Sequence, residues 1–378
     1  MEKLTFTRFA AAMSVVLTHF GSGIPVIDTV PWSYFLRQGT FMVSYFFVLS
    51  GFIMAAVYWE LEDRADRRAY WAARFARIYP VYILALVFMM ALGGPENGSH
   101  PWRTFLLNAV MIQAWLPTFA LTGNPPGWSL SAEAFFYLAF PFCLPLLRGL
   151  HGVWRPLLVV GLVWLVSQIG YHIGRQALEL HFVESLHNAI HYDPLLHFNS
   201  FLVGAFASLV LRRRGWQRTS AAQQYHPHGT GVSFVMVLAG ATLIIVALLM
   251  LGQGVYVAGA FLSATNGLLA PIFALFIAAL SVDTSPWTRW LAWPPLVALG
   301  EMSYAVYMLQ DPMRELVYRL VSRSSLIVPP VPLFWMFVLS LLIVSAVVWR
   351  WYEMPLRRFL RELLGGPSQP QNRRSAMV

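Results

Sequence analysis

The sequence predicts an all-α fold, a polytopic membrane helix bundle with about ten transmembrane spans. Hydrophobic residues make up 58% of the 378 residues and charged residues 11%, and apolar runs long enough to cross a bilayer recur throughout the chain. These runs are continuous rather than alternating, and only helices or closed barrels satisfy the backbone in lipid. We therefore expect spanning helices near residues 4–22, 36–59, 75–92, 128–147, 156–172, 194–211, 232–251, 257–280, 294–318 and 331–351.

The distribution of arginine residues predicts how the chain is oriented. One apolar segment, 104–121, decides the outcome, because the basic loops after it change sides if it crosses the membrane. When this segment is re-entrant or peripheral, the basic loops 64–77 and 212–218 and the basic C-terminal residues lie on one side, as the positive-inside rule requires. We therefore expect 104–121 not to cross. Both termini then lie in the cytoplasm, and we expect the chain in the cytoplasmic (inner) membrane, with an uncleaved first span.

Other classes of partner and site fit the sequence poorly. The formal net charge is +9, but the basic residues cluster in short loops, so we expect no nucleic-acid partner. The single cysteine, Cys143, excludes an internal disulfide. His187 and His191 have the spacing of a helical metal-binding pair, but no adjacent Glu completes the pattern. We expect no metal, and we interpret the loop 172–193 as a polar, partly helical cap outside the membrane.

The first span carries two ionisable residues, Arg8 and His19, and is the first candidate for a functional site. Their separation corresponds to a rise of about 16 Å along a helix and returns both side chains to nearly the same face. Ionisable groups in a membrane segment face the bundle interior or a water-filled cavity and are functional candidates. The structural alternative is that Arg8 ends the helix at the cytoplasmic surface and that His19 lies at the opposite interface.

Two further stretches place polar groups in or near the second and third spans. In FFVLSGF, Ser50 and Gly51 allow close approach of helices, and packing alone is the favoured explanation of this stretch. In RFARIYP, Arg74 and Arg77 lie about one helical turn apart at the inner boundary. Guanidinium groups there can hold a phosphate, or they can anchor the helix.

Two later stretches add a carboxylate and several hydroxyl groups. NPPGWSLSAEAFFYLAFP brings an indole, hydroxyl groups and the carboxylate of Glu133 into the first turns of one helix, including Trp128 and Ser131. A carboxylate in apolar surroundings is costly unless it is paired, so Glu133 marks either a salt bridge or a functional site. LGEMSYAVYMLQDP places further polar side chains along one span, namely Tyr304, Tyr307 and Gln310, and suggests a lined cavity.

Taken in order, these stretches resemble the acyltransferase 3 family of integral-membrane acyltransferases. The resemblance runs through TFTRFAAAMSVVLTHF, FFVLSGF, RFARIYP, GWSLSAEAFFY, LGEMSYAVYMLQDP and YEMPLRRFL. It implies an acyltransferase transmembrane domain over 1–351, followed by a basic cytoplasmic tail at 352–378 that is partly disordered. We also expect the chain to act without the soluble esterase-like domain that some members carry, alone or with a separate partner.

The resemblance implies acyl-CoA in the cytoplasm as the donor and a hydroxyl group of an extracytoplasmic polysaccharide or glycoconjugate as the acceptor, with acetyl as the favoured acyl group. The family's membrane arginine and histidine correspond to Arg8 and His19, and its paired arginines correspond to Arg74 and Arg77. Two departures stand out, because the family usually has an arginine at the position of His197 and commonly has a histidine at the position of Gln310.

These correspondences assign a hypothetical role to each candidate. His19 would act as general base on the acceptor hydroxyl or carry the acyl group transiently, with Glu133 and Arg8 completing the catalytic group. The donor would contact Arg74, Arg77, Ser50 and Tyr304, and the acceptor would contact Trp128, Ser131, Tyr307 and Gln310. Two alternatives remain open: a secondary transporter or flippase that buries the same Arg, His and Glu side chains, and a non-catalytic scaffold. The oligomeric state is unknown.

Overall fold

A computed structural model describes residues 1–28, 39, 41–61, 63–93, 100–180, 183–215, 236–244, 255–257, 260–262, 266–324 and 326–365. Helices account for most of these residues. They are α1 (Glu2–Phe20), α2 (Pro25–Asp28), α3 (Phe41–Val57), α4 (Arg64–Leu92), α5 (Pro101–Ala109), α6 (Gly127–Gly149), α7 (Trp154–Leu180), α8 (Glu184–Tyr192), α9 (Pro194–Arg213), α10 (236–244), α11 (Ala270–Val282), α12 (Pro294–Arg323), α13 (Pro330–Val347) and α14 (Met354–Gly365). Short 3-10 helices lie at Gln113–Trp115 and Pro286–Ala292, and a π-helical turn lies at Val348–Glu353.

The lengths and composition of the helices confirm a polytopic membrane helix bundle. Among the described residues, five helices are long and apolar enough to cross a membrane, or six if the bent pair Ala270–Val282 and Pro286–Ala292 forms one span. The spanning candidates are Arg64–Leu92, Gly127–Gly149, Trp154–Leu178, Glu184–Arg213 and Pro330–Leu364. The shorter helix α3 is also apolar. The total of ten spans stays a prediction, and part of the expected spans 36–59 and 232–251 lies outside the described residues.

The centre of the bundle is a close contact between α3 and α9. A Cβ added at Gly51 would lie 1.9 Å from the carbonyl oxygen of Phe201, and one added at Gly204 would lie 1.9 Å from that of Val48. Because each glycine faces the backbone of the other helix, the two helices approach more closely than larger side chains would allow. The expectation that the stretch around Ser50 and Gly51 packs closely against another helix is therefore met.

The segment 104–121 forms no continuous spanning helix. The helix α5 has nine residues, which corresponds to about 14 Å, far less than the ~30 Å of a bilayer core. The chain then turns at Met111, which has a φ of 57°, and Ser131 Oγ donates a 2.6 Å hydrogen bond to the Met111 carbonyl. The prediction that this segment is re-entrant or peripheral is confirmed.

The expected span at 257–280 is wrong in its first half. Residues Val255–Val257 and Ala260–Leu262 form two short antiparallel strands, with Tyr256 opposite Phe261, and the helix begins only at Ala270. Asn266 and Gly267 both have positive φ, a conformation that a right-handed helix does not contain. Hydropathy alone did not reveal this break, because the residues around it are apolar.

The end of the described chain packs onto the bundle. The helix α14 lies against α4, and Glu353 just before it is buried. Residues 352–365 of the expected cytoplasmic tail therefore lie in or next to the helical bundle, while 366–378 lie outside the described residues.

In the predicted polar cap, α8 carries His187 and His191 with their rings stacked 4.1 Å apart. No group of three metal-ligating side chains occurs in the described part of the chain.

Candidate active site

The polar residues of the bundle line two neighbouring cavities. The first, which we call the arginine cavity, has a volume of about 110 Å³ and is lined by residues that include Arg8, Arg74, Arg77, Glu133 and Tyr304. The second, the histidine cavity, has a volume of about 430 Å³ and is lined by residues that include His19, Trp128, His191, His197 and Asn266. Val43 and Tyr307 line both. The cavities therefore share part of their walls, and most of the predicted site residues line one or the other.

The helices α1 and α12 each contribute lining residues to both cavities. On α1, Arg8 lines the arginine cavity and His19 lines the histidine cavity, about 16 Å further along the axis. On α12, Tyr304 lines the first cavity, Tyr307 lines both and Asp311 lines the second. The two cavities therefore follow one another along these helices.

Arg74 lies against aromatic side chains in the arginine cavity. Its Nη2 donates a 2.8 Å hydrogen bond to the Tyr58 hydroxyl, and its guanidinium carbon lies 5.1 Å from the centre of the Tyr58 ring and 5.9 Å from that of Tyr137. Its buried Nε has no hydrogen-bond partner among the described residues. Aromatic faces stabilise a cation without neutralising it, so Arg74 keeps the capacity to bind an anion.

Arg77 forms an ion pair that the sequence did not predict. Its Nη1 donates to Glu353 Oε1, and its guanidinium carbon lies 5.4 Å from the centre of the Tyr304 ring. The Tyr304 hydroxyl donates to the Ile78 carbonyl. The two charged residues are 276 positions apart in the chain, so local sequence gives no signal of the pairing, although Glu353 lies in the stretch YEMPLRRFL that contributed to the resemblance.

Glu133 belongs to the arginine cavity. It accepts a 2.9 Å hydrogen bond from Ser50 Oγ and another from the Tyr137 hydroxyl. The Arg8 guanidinium lines the same cavity. The structure thus brings together the predicted residues Arg8, Ser50 and Glu133, and adds Tyr137, which lies one helical turn beyond Glu133 and carried no assignment from the sequence.

The histidine cavity is larger and is walled by aromatic rings. His19, at the end of α1, is exposed to this space. The Trp128 ring lies 5.0 Å from the rings of Tyr192 and His197. His197 is buried, and its Nε2 donates a 2.8 Å hydrogen bond to the His191 carbonyl. Its Nδ1 has no hydrogen-bond partner in the part of the chain that the structure describes.

Two predicted substrate residues line neither cavity. Ser131 is engaged with the Met111 carbonyl at the turn after α5. Gln310 is buried, and its Nε2 donates a 2.9 Å hydrogen bond to the Tyr307 carbonyl, while its side chain lies against the His19 imidazole. Glu133 is placed beside Arg8 rather than beside His19. Gln310, and not Glu133, is therefore the predicted polar residue that lies next to His19.

The fold and these cavities define a polytopic membrane protein with ionisable groups gathered inside its helix bundle. The chain belongs to the acyltransferase 3 family: the family described as "Acyltransferase domain" matches residues 1–350. The predicted resemblance is thus confirmed. The matched range contains all the residues that line the two cavities, whereas Glu353, the partner of Arg77, lies just after it.

Curated relatives carry similar descriptions. The Acyltransferase MdmB of Streptomyces mycarofaciens is 34% identical over 158 residues, which cover 39% of this chain and 40% of the relative. The O-acetyltransferase OatA of Staphylococcus aureus (strain NCTC 8325 / PS 47) is 20% identical over 343 residues, which cover 85% of this chain and 53% of the relative. The chain thus spans about half or less of the length of these relatives. No solved structure matches.

Proposed function

We propose that the chain is a membrane O-acyltransferase that moves an acyl group, with acetyl as the favoured group, from cytoplasmic acyl-CoA to a hydroxyl group of an extracytoplasmic polysaccharide or glycoconjugate. The observation that carries the proposal is the arrangement of the two cavities. A space lined by three arginines adjoins a larger space that contains a histidine, and Tyr307 borders both. The family and the descriptions of its relatives support the acyl-transfer chemistry.

The arginine cavity suits the phosphate groups of acyl-CoA. Arg8, Arg74 and Arg77 line it together, and Glu133 is the one carboxylate among the described residues that line it. Guanidinium groups bind phosphate oxygens through paired, charge-assisted hydrogen bonds. In our proposal a phosphate replaces Glu353 as the partner of Arg77, and the pantetheine arm passes Ser50 and Tyr304 towards Tyr307. The thioester then lies at the boundary between the cavities.

His19 is the proposed general base in the histidine cavity. Its imidazole takes the proton of the acceptor hydroxyl while the hydroxyl oxygen attacks the thioester carbonyl carbon. The bond between that carbon and sulfur then breaks, and the imidazolium returns its proton to the leaving CoA sulfur. Gln310 lies against the imidazole and orients it, while Glu133 balances the charge of Arg8. A transient acyl group on His19 would use the same ring nitrogen as nucleophile.

The orientation of the chain is part of the same proposal. We place both termini in the cytoplasm and the chain in the inner membrane, so that the arginine cavity opens towards cytoplasmic acyl-CoA and the histidine cavity towards the outer side. The arginines in the first turns of α4, Arg64, Arg67 and Arg68, support this orientation through the positive-inside rule.

The decisive experiment measures acyl transfer by the full chain in lipid nanodiscs, with radiolabelled acetyl-CoA and a polysaccharide acceptor. We expect His19→Ala to lower the rate by about 100-fold or more, since loss of a general base removes a factor of this size. His151→Ala is the matched control, because His151 is exposed in the loop after α6 and lines neither cavity. Full transfer by His19→Ala would overturn the mechanism. Transport of label without covalent transfer would favour the transporter alternative.

A further inference from the structure

We propose that Asn266 holds the acceptor in the histidine cavity through hydrogen bonds to two adjacent hydroxyl groups of a sugar ring. This inference rests on the proposed acyltransferase function, because it identifies the residue that selects the acceptor and the chemical feature that it selects. Asn266 lies in the turn between the strand Ala260–Leu262 and α11, in a stretch that the sequence predicted to be part of a plain apolar span.

The turn at Asn266 has a backbone conformation that few residues adopt. Asn266 has a φ of 61° and Gly267 a φ of 83°, and residues held in this region cluster at functional sites. A Cβ at Gly267 would lie 2.2 Å from Ser200 Oγ, so the turn packs directly against α9. The Asn266 carbonyl accepts a 2.9 Å hydrogen bond from Gln168 Nε2, and the Gly267 carbonyl accepts one of 2.9 Å from the Trp164 indole. Contacts from α7 and α9 therefore hold the turn in place.

The Asn266 side chain is buried, and no described residue forms a hydrogen bond with it. It is 1% exposed and lines the histidine cavity, and neither its Oδ1 nor its Nδ2 has a hydrogen-bond partner among the residues that the structure describes. His197 lines the same cavity, and its buried Nδ1 also has no hydrogen-bond partner among the described residues. Buried polar groups without partners are unfavourable and rare. Two of them on one cavity indicate that a polar ligand completes their hydrogen bonds.

The chemistry of these groups fits adjacent hydroxyl groups on a ring. A carboxamide presents one acceptor and one donor group side by side, and two neighbouring hydroxyl groups offer the complementary pair. His197 donates from Nε2 to the His191 carbonyl, so in the neutral ring Nδ1 is an acceptor for a further hydroxyl. Trp128 adds a flat apolar surface to the same cavity. A simple alcohol would leave most of these groups unsatisfied.

The test compares acceptors that differ by one hydroxyl group. The full chain in nanodiscs is given radiolabelled acetyl-CoA and a panel of methyl glycosides, each beside its monodeoxy analogues. For the unaltered protein, we expect removal of either of two adjacent hydroxyl groups to lower kcat/KM for the glycoside by about tenfold or more, because a site built to bind a hydroxyl rejects analogues without it.

The variant Asn266→Asp tests the residue itself, because aspartate has nearly the same size as asparagine and tolerates the left-handed backbone conformation. We expect it to raise the glycoside KM by about tenfold and to leave the acetyl-CoA KM unchanged.

A control variant distinguishes recognition of the glycoside by the Asn266 side chain from structural support of the turn in which Asn266 lies. Gln168→Met removes a hydrogen bond to the same turn, and Gln168 does not line the cavity; its glycoside KM should stay within about twofold of the unaltered value. Equal changes in Gln168→Met and Asn266→Asp would overturn the inference, as would an unchanged KM in Asn266→Asp. Asn266→Gly, which suits the positive φ, is a second variant with the same expected loss, and thermal unfolding checks that each variant is folded.

Hydrolysis of acetyl-CoA without glycoside is measured in parallel, so that the two proposals fail in different ways. Hydrolysis and transfer with no preference for adjacent hydroxyl groups would overturn the role of Asn266 and leave the acyltransferase function standing. The absence of both hydrolysis and transfer would overturn the proposed function, and the inference with it.

Discussion

At the scale of single residues, Arg77 of the arginine cavity forms a buried ion pair with Glu353. Glu353 is 1% exposed, and removing one partner of a buried pair typically costs about 3–5 kcal/mol, because the other charge stays buried alone. Glu353 Oε2 has no hydrogen-bond partner within the described ranges. The carboxylate is therefore only partly satisfied, and in the proposed function a phosphate group of the donor replaces it beside Arg77.

This pair leads to a prediction about CoA binding. We expect Glu353→Gln to lower the free energy of unfolding by up to about 3–5 kcal/mol. We also expect CoA to raise the thermal midpoint of the variant more than that of the unaltered protein, since its phosphates supply the missing negative charge. Thermal unfolding with and without CoA measures both. Glu362→Gln, on the exposed side of α14, is the control without an expected effect. A CoA-induced shift no larger in Glu353→Gln would contradict the prediction.

At the scale of elements, the contact between α3 and α9 sets the width of both cavities. Val43 of α3 lines both cavities, and Ser50 lines the arginine cavity; His197 of α9 lines the histidine cavity. The reciprocal glycine contacts at Gly51 and Gly204 hold these helices together with no space for a side chain. Any widening of this contact would move the side chains of both cavities.

We therefore expect Gly51→Ala to lower the stability of the protein. Its Cβ would meet backbone atoms rather than a flexible side chain, and overpacking of this kind typically costs about 1–3 kcal/mol. Gly161→Ala in α7 is the matched control, because its Cβ would have no atom within 4 Å, and it should be neutral or stabilising by up to about 1 kcal/mol. Thermal unfolding midpoints in detergent compare the two. Equal midpoints would show that α3 and α9 are not tightly coupled.

At the scale of the whole molecule, an ion pair and a hydrogen bond join the first helix to a distant part of the chain. Lys3 Nζ donates to Asp283 Oδ2 at 3.1 Å and to Thr288 Oγ1 at 2.6 Å, across about 280 positions of sequence. Asp283 lies between α11 and the 3-10 helix Pro286–Ala292. Burial would raise the pKa of Asp283, but hydrogen bonds from Thr288, Ser285 and Lys3 outweigh it and hold that pKa below its ordinary value.

The direction of this shift predicts how stability depends on pH. A carboxyl whose pKa is lower in the folded protein contributes stability above its unfolded pKa and loses that contribution as the pH falls through the folded pKa. We expect Asp283→Asn to lower the thermal midpoint at pH 7. The difference from the unaltered protein should shrink below about pH 4. Thermal scans across this range measure it, with Glu2→Gln, exposed on α1, as the control. A difference that does not change with pH would argue against the ion pair.

The sequence by itself determined the class of the fold and much of the site. Backbone N–H and C=O groups in lipid can form hydrogen bonds only with each other, so long apolar runs form helices. The distribution of arginines predicted that 104–121 does not cross. Arg8 and His19 share one helix, and the positions of the arginines and of Glu133 in polar stretches marked them as site candidates, because charge inside a membrane bundle is costly without a partner or a function.

Only the tertiary structure decided which of these groups meet. It separated His19 from Glu133 into different cavities, paired Arg77 with Glu353, and placed Asn266 in the wall of the cavity that His19 lines. Ser131, predicted to contact the acceptor, instead donates a hydrogen bond to the Met111 carbonyl at the turn after α5. Local periodicity carries no information about contacts between residues far apart in the chain, and the left-handed turn at Asn266 depends on packing against α7 and α9. The positions of these residues follow from long-range packing, which a single sequence does not display.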